Sequence, residues 1–249
     1  MSLSDLRAFF DTYKWLQAFE QGEVLPIDVT KKWEFFYHVQ QVLLELPAYI
    51  DREARVSKNA EISGQVYIDN GARILPGAFI EGPTYIGKNV VVGNSALIRP
   101  LSFLSQDCIV GNHCYCTESV IAPGSGAFHF CGISRSLLEK NCRITAFVIT
   151  ATVKPDLTPI NRCIPNEIKP PLKQGCIIGE NTFIGAHVVL APGIIIGKDC
   201  FIGPFTYINH DIPCGKFIAA DNKLAITENK ISMAYLGIPP QPQFERSEQ

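Results

Sequence analysis

The chain of 249 residues carries a formal net charge of −2 and a pI near 6.2, with no long run of Lys or Arg, so it has no general electrostatic claim on nucleic acid. Residues 1–10 lack the basic-then-apolar layout of a secretory leader, and no run of about eighteen apolar residues is present to span a bilayer; the expectation is a soluble, cytoplasmic protein with no membrane partner. The length does not by itself demand two domains, because a solenoid grows along one axis.

In chain order, residues 4–21 read as a helix: Ser4 can cap it, Leu6, Phe10, Tyr13 and Leu16 recur at three- and four-residue spacing, and Gly22 suits its stop. After a short link containing Pro26, Thr30 can cap a second helix that carries Trp33, Phe36, Tyr37, Val42 and Leu46 and is ended by Pro47. The pair, residues 1–50, is expected to cap the open first coil of the repeat that begins at residue 54, since an uncovered coil exposes strand edges.

That repeat has a period of six. Aliphatic residues fall at Val56, Ile62, Ile68, Ile74, Ile80, Ile86, Val92, Ile98, Leu104 and Val110, and each is preceded by two positions by a small or β-branched residue such as Ala54, Ala72, Thr84, Ser102 or Cys108. Neither a helix, with its period near 3.6, nor strand alternation sustains that spacing; a period of six marks a parallel β-helix, here a mainly β solenoid over residues 51–221. If three hexapeptides make one triangular coil, the anchors point inward and the small residues let the corners close. Of nine Cys, Cys108, Cys114, Cys142, Cys176 and Cys200 occupy the small slot, where a thiol acts as a compact apolar side chain. Cys114 and Cys116 are too close for a zinc pair, so packing in a reducing compartment explains them.

After one more step to Cys116 the spacing fails: Ala122-Pro123-Gly124-Ser125-Gly126-Ala127 interrupts it with turn-forming residues, and His129 follows. It resumes weakly at Leu138 and Ile144, with Ser136 and Cys142 in the small slots. An aperiodic insertion near residues 154–173 comes next, and insertions of that length in a solenoid are commonly functional. The repeat returns at Ile178, Ile184, Leu190, Ile196, Ile202 and Ile208. Residues 222–249, with Pro239, Pro240 and Pro242, read as a tail.

The run Ile74-Leu75-Pro76-Gly77-Ala78-Phe79-Ile80-Glu81-Gly82-Pro83, then Ile98-Arg99-Pro100, Ile177-Ile178-Gly179-Glu180-Asn181 and Ala191-Pro192-Gly193 resemble the hexapeptide-repeat sugar-phosphate transferases. The resemblance is to the C-terminal acetyltransferase domain of bifunctional N-acetylglucosamine-1-phosphate uridyltransferase/glucosamine-1-phosphate acetyltransferases, and to archaeal-type sugar-1-phosphate nucleotidylyltransferases. It covers roughly residues 54–228, leaving residues 1–50 outside. It implies a left-handed parallel β-helix, a homotrimer with acetyl-transfer sites between neighbouring subunits, an acyl-CoA co-substrate and no metal. The nucleotide-binding pyrophosphorylase domain of the bifunctional members has no counterpart here, so nucleotidyl transfer by this polypeptide is not expected.

The family motif His-x-x-Tyr-x-Gly-Asp followed by Asn-x-Gly-Ala-Gly falls, without a gap, on His129-Phe130-Cys131-Gly132-Ile133-Ser134-Arg135 and Arg143-Ile144-Thr145-Ala146-Phe147. The resemblance makes His129 the general base that takes a proton from the acceptor amine, a task suited to imidazole. Arg99 matches an arginine that contacts the substrate phosphate, and Ala146 lies near the CoA site. The family Tyr, Asp and Asn are replaced by Gly132, Arg135 and Arg143, its two lysines fall on Thr117 and Gly126, and its CoA-binding Arg on Glu228. Arg135, Arg143 and Arg162 bring bidentate donors that could replace lost phosphate contacts. His113, His187 and His210 do not form the His-x-x-x-x-His pair of hexapeptide-repeat carbonic anhydrases and read as exposed corner residues. Two functional classes fit: an acyl-CoA-dependent acyltransferase acting on a sugar phosphate or nucleotide sugar, and a catalytically degenerate trimeric sugar-nucleotide-binding or scaffold protein related to UDP-N-acetylglucosamine pyrophosphorylase.

Overall fold

The structure is a computed structural model that describes residues 18–19, 29–160 and 170–221. The first expected helix, apart from the helical Ala18 and Phe19, the stretch containing Arg162, and the tail with Glu228 lie outside the described residues.

Short strands of two to four residues, β1 (Tyr49–Ile50) through β25 (Phe217–Ile218), wind into three parallel sheets of eight, nine and eight strands. Each strand pairs with the one a full coil later, the arrangement of a parallel β-solenoid and consistent with the left-handed β-helix. We call the sheets face A, face B and face C in the order in which the chain visits them. In the first coils the partners Val56↔Ile74, Ile74↔Val92 and Val92↔Val110 are eighteen residues apart, three hexapeptides to the coil. Ile68, Ile80, Ile86, Val92, Ile98 and Leu104 are fully buried and stack into one continuous core with the small-slot residues. Fully burying such a side chain contributes about 1.5–3 kcal/mol, an upper figure against the entropy of ordering the chain. The small-slot thiols Cys142 and Cys176 and the anchor Cys116 are pushed up to about 12 by burial, which holds them as inert thiols.

The expected interruption at residues 122–127 is instead a regular part of the coil. Ala127 is fully buried and pairs with Val110 below and Ile144 above, each seventeen residues away. One residue is missing twice at the same corner, between Cys116 and Ile121 and again between Ile133 and Leu138, and both pairs of residues remain buried. A fixed count of six therefore slips out of step while the helix continues. The insertion lies at that same corner in the next coil, between β18 (Ile149–Thr150) and β19 (Ile177–Ile178).

Corners place one residue per turn in the left-handed region, and many are not glycine: Asn89, Leu101, His113, Glu118, Phe130, Arg135, Phe147 and His187 have φ between 45° and 60°. Such a conformation costs about 1–2 kcal/mol for a residue with a Cβ, met here by the coil-to-coil hydrogen bonds that it allows. Close stacking also explains Gly111, where a Cβ would collide with the Phe128 carbonyl oxygen.

Helix α1 (Val29–Leu44) begins one residue before Thr30, which falls inside its first turn. The sequence placed it over the end of the first coil; the structure lays it along the flank of face A. Trp33, Phe36, Val39, Leu43 and, beyond the helix, Leu46 pack on the outward row Tyr67, Tyr85, Phe103, Val120, Leu137 and Ile177. That row is apolar on every rung, so face A needs a cover more than the coil end does. Sixteen residues of helix span about 24 Å, matching five strand spacings of about 4.8 Å. The first-coil residues Ala54, Val56, Ala60 and Ile62 are only partly buried.

Beyond Glu61 on its first rung, the outward row of face C is apolar too: Phe79, Leu97, Tyr115, Gly132, Ile149, Val189 and Tyr207 follow one another in register. None of its larger members from Tyr115 onward is buried, Tyr207 being 63% exposed.

Candidate functional site

The corner between faces C and A builds a cavity of about 380 Å³. Successive coils bring Arg99-Pro100-Leu101, Thr117-Glu118 and Ser134-Arg135 over one another there. The N–H of Glu118 donates to the Pro100 carbonyl at 3.2 Å, and that of Arg135 to the Thr117 carbonyl at 2.9 Å. Glu118 and Arg135 stand in left-handed turns, with φ of 45° and 47°, as Leu101 does at the same corner of the full-length coil before them, with φ of 60°. Arg99, Arg135 and Lys173 line the cavity together with Tyr115, Thr117 and Ser134.

Carboxylates hold both arginines. Arg99 Nε lies 3.3 Å from a Glu81 oxygen, and Arg135 Nη1 donates to Glu118 Oε2 at 2.5 Å. Lys173 has no carboxylate partner among the described residues. The Arg135 Nε–H is buried without a hydrogen-bond partner among the described residues, a donor whose burial is costly until it is satisfied. Guanidinium forks beside hydroxyls suit a phosphate or carboxylate.

His129 stands at the opposite edge of face C. It ends β14 (Gly126–His129) on face B, is exposed, and pairs in register with Asn112 and Ala146. Its imidazole makes no hydrogen bond to another described side chain. Ala146, half-buried, ends β17 (Arg143–Ala146), and Arg143 begins that strand, exposed on face B with its guanidinium 5.9 Å above the Phe128 ring. The structure thus brings Arg99 and Arg135 into one cavity and His129 beside Ala146, while Arg143 points from face B and does not line the cavity.

A single strand links the two groups. β15 (Gly132–Ser134) starts three residues after His129, crosses face C and delivers Ser134 and Arg135 to the cavity. At about 3.3 Å per residue it spans about 10 Å. Its outward residue is Gly132, the one position in the row without a side chain; Ile149 leans toward the gap, its Cδ1 3.1 Å from where a Cβ would stand.

Sequence reasoning missed several neighbours. Lys173 belongs to the insertion, which has no period to place it. Tyr37 and Gln40 of α1 reach this corner across the chain, Gln40 Nε2 donating to the Glu118 carbonyl at 3.0 Å. Beside His129 runs a ridge of stacked rings, His113, Phe130, Phe147, His187 and Phe205, with centroids 4.7–5.0 Å apart. The two histidines of that ridge stand at exposed corners, as expected of them.

Residues 175–210 match the family model described as bacterial transferase hexapeptide (six repeats). A bifunctional GlmU protein of Methanococcus aeolicus is 32% identical over 109 residues, 43% of this chain and 26% of that protein. The chain therefore spans about a quarter of the length of that curated relative. Among solved structures, the Arabidopsis UDP-N-acetylglucosamine acyltransferase is similar over 65% of this chain and 62% of its own, with a TM-score of 0.34 and 16% identity. The Francisella novicida UDP-N-acetylglucosamine acyltransferase is similar over 68% and 62%, with a TM-score of 0.32 and 14% identity. GDP-perosamine N-acetyl transferase of Caulobacter crescentus, solved with CoA and GDP-perosamine, is similar over 73% and 58%, with a TM-score of 0.23 and 18% identity.

Proposed function

We propose that this hexapeptide-repeat β-helix protein is an acyl-CoA-dependent acyltransferase acting on a sugar phosphate or nucleotide sugar, with His129 as general base. The observation that carries the reading is the link made by β15: a cavity lined by Arg99, Arg135 and Lys173 lies at one end of the strand, and an exposed imidazole three residues before the other. An acceptor whose phosphate is held by Arg99 and Arg135 extends across the Gly132 gap toward His129.

The chemistry follows from that placement. His129 accepts the proton of the acceptor amine or hydroxyl as its nitrogen or oxygen attacks the thioester carbonyl. The tetrahedral oxyanion needs backbone N–H donors at this corner. On collapse the C–S bond breaks, the new amide or ester remains on the sugar, and the imidazolium returns its proton to the CoA thiolate. The small Ala146, in register with His129, leaves room for the thioester arm, and exposed Arg143 on the same strand offers a cation to CoA phosphates.

The protein works as a cytoplasmic homotrimer, in which a neighbouring subunit covers the exposed apolar row of face C and closes the site. No helix among the described residues is long and apolar enough to cross a membrane.

The test is acyl transfer from acetyl-CoA to glucosamine 1-phosphate and to nucleotide amino sugars, followed by thiol release. His129→Ala should lower turnover by about 10²- to 10⁴-fold with an unchanged circular dichroism spectrum; equal turnover would remove His129 as the base. The second reading, a degenerate sugar-nucleotide-binding scaffold, draws on the replacement of the family Tyr, Asp and Asn by Gly132, Arg135 and Arg143. It predicts that UDP-N-acetylglucosamine raises the melting temperature while acetyl-CoA does not.

A further inference from the structure

We infer that Gln40 of α1 is a positioning residue for the corner cavity, fixing the Glu118 turn and, through Glu118, the guanidinium of Arg135. The inference rests on the reading of that cavity as the site of the acceptor phosphate. It gives α1, which lies outside the repeat and outside the family resemblance, a part in ligand selection.

Gln40 is 6% exposed and sits on the otherwise apolar side of the helix, between Phe36 and Leu43. An amide in such a place is unfavourable unless it is hydrogen-bonded. Its Nε2 donates to the backbone carbonyl of Glu118, a residue held at φ 45°. The Glu118 side chain in turn accepts from Arg135 Nη1, and the Arg135 backbone carbonyl accepts from Gly175 N at 3.0 Å. One turn earlier in the helix, Tyr37 donates to Oε1 of the buried Gln174 at 3.3 Å, and Gln174 N donates to the Thr152 carbonyl. Residues 152 and 173 both line the cavity, so α1 ties down its Glu118 wall and its insertion wall together. Burial pushes the Tyr37 phenol up, with the positive field of Arg135 opposing and the negative field of Glu118 assisting.

A helix that served only to cover face A would need none of these polar contacts. Apolar cover for the row of Tyr85 and Phe103 comes from Trp33, Phe36 and Leu43, with Phe19 against Phe103. The hydrogen bonds of Tyr37 and Gln40 go instead to the two sides of one corner, where the coil has lost a residue and the chain has no hexapeptide to hold it.

The experiment measures glucosamine 1-phosphate binding by calorimetry on the full chain, with melting temperatures recorded in parallel. Gln40→Met keeps the length of the side chain and removes the donor; it should weaken binding about five- to tenfold while the melting temperature stays within about 4 °C of the parent. Val39→Ala, on the same helix but purely apolar in contact, should lower the melting temperature and leave affinity unchanged. Glu118→Gln, which keeps the Gln40 contact and loosens Arg135, should reproduce the loss of affinity and serves in its place if Gln40→Met does not fold. Parent-like affinity in Gln40→Met or, if that variant does not fold, in Glu118→Gln, while Arg135→Ala loses binding, overturns the inference and leaves the phosphate site standing. If Arg135→Ala binds as the parent does, or the parent does not bind, the phosphate-site reading falls and takes the inference with it.

Discussion

Faces A and C make the same local choice and meet different ends. Both carry an apolar residue on rung after rung of their outward rows, the pattern that a sheet buried on both sides requires. On face A the row is sealed: Phe103, Val120, Leu137 and Ile177 have no exposure, because α1 lies along them. On face C, Tyr115, Ile149 and Val189 are 37–42% exposed. The difference teaches that the β-helix does not dictate which face is covered; the covering element does, and for face C no described element of this chain supplies it. It is this exposed apolar strip that the proposed trimer would use to associate.

The largest effect should come from beneath both faces. Ile80→Asp puts an unpaired carboxylate into the fully buried stack shared by all three sheets, and should abolish cooperative folding, read as loss of the circular dichroism transition. Phe103→Ala attacks face A alone. It leaves a cavity between α1 and Tyr85 and should cost about 3–5 kcal/mol in denaturant titration; a cost below about 1 kcal/mol would mean that the helix does not seal the face. Ile149→Asp attacks face C alone and should change the stability of the single subunit least, by about 0.5 kcal/mol, while shifting the mass measured by light scattering from that of the proposed trimer toward monomer. An unchanged mass would show that face C is not the association surface.

The frame was legible because its signal is additive. Each rung repeats the same demand for an inward aliphatic residue and a small one two before it, so Ile74, Ile80 and Ile86 report the architecture redundantly. Ile121, Ala127 and Ile133 obey the same demand and were lost to view because the one-residue deletion before Ile121 moves them off a count of six, and the second deletion, before Leu138, shifts the count again. The turn-forming residues Pro123 and Gly124 then read as a break where they only round a corner. Deletion of single residues at a fixed interval was the available signal. The ridge of Phe130, Phe147 and Phe205 carried no such signal, since aromatic residues are not those expected at positive φ.

At the candidate site, Arg99, Arg135 and His129 were legible as residue types and the distribution among edges was not. Which corner an arginine reaches depends on the length of the coil before it, and the shortened coils set Arg135 over Glu118. Gln40 and Tyr37 make contacts across 78 and 137 positions of sequence. Nothing local to residues 37–40 distinguishes a polar side chain bound for a distant corner from one facing water.

The position of α1 also changes how the molecule comes apart. In a stack of coils each rung touches only its neighbours, so loss of order can begin at an end and advance one rung at a time. A stiff rod docked on rungs from Tyr67 to Ile177 makes those rungs share one fate, because none can leave without stripping the helix from the others. The coils beyond, from Phe183 to Ile218, touch that cluster only through Ile195 among the described residues, and should be the first to exchange their amide hydrogens.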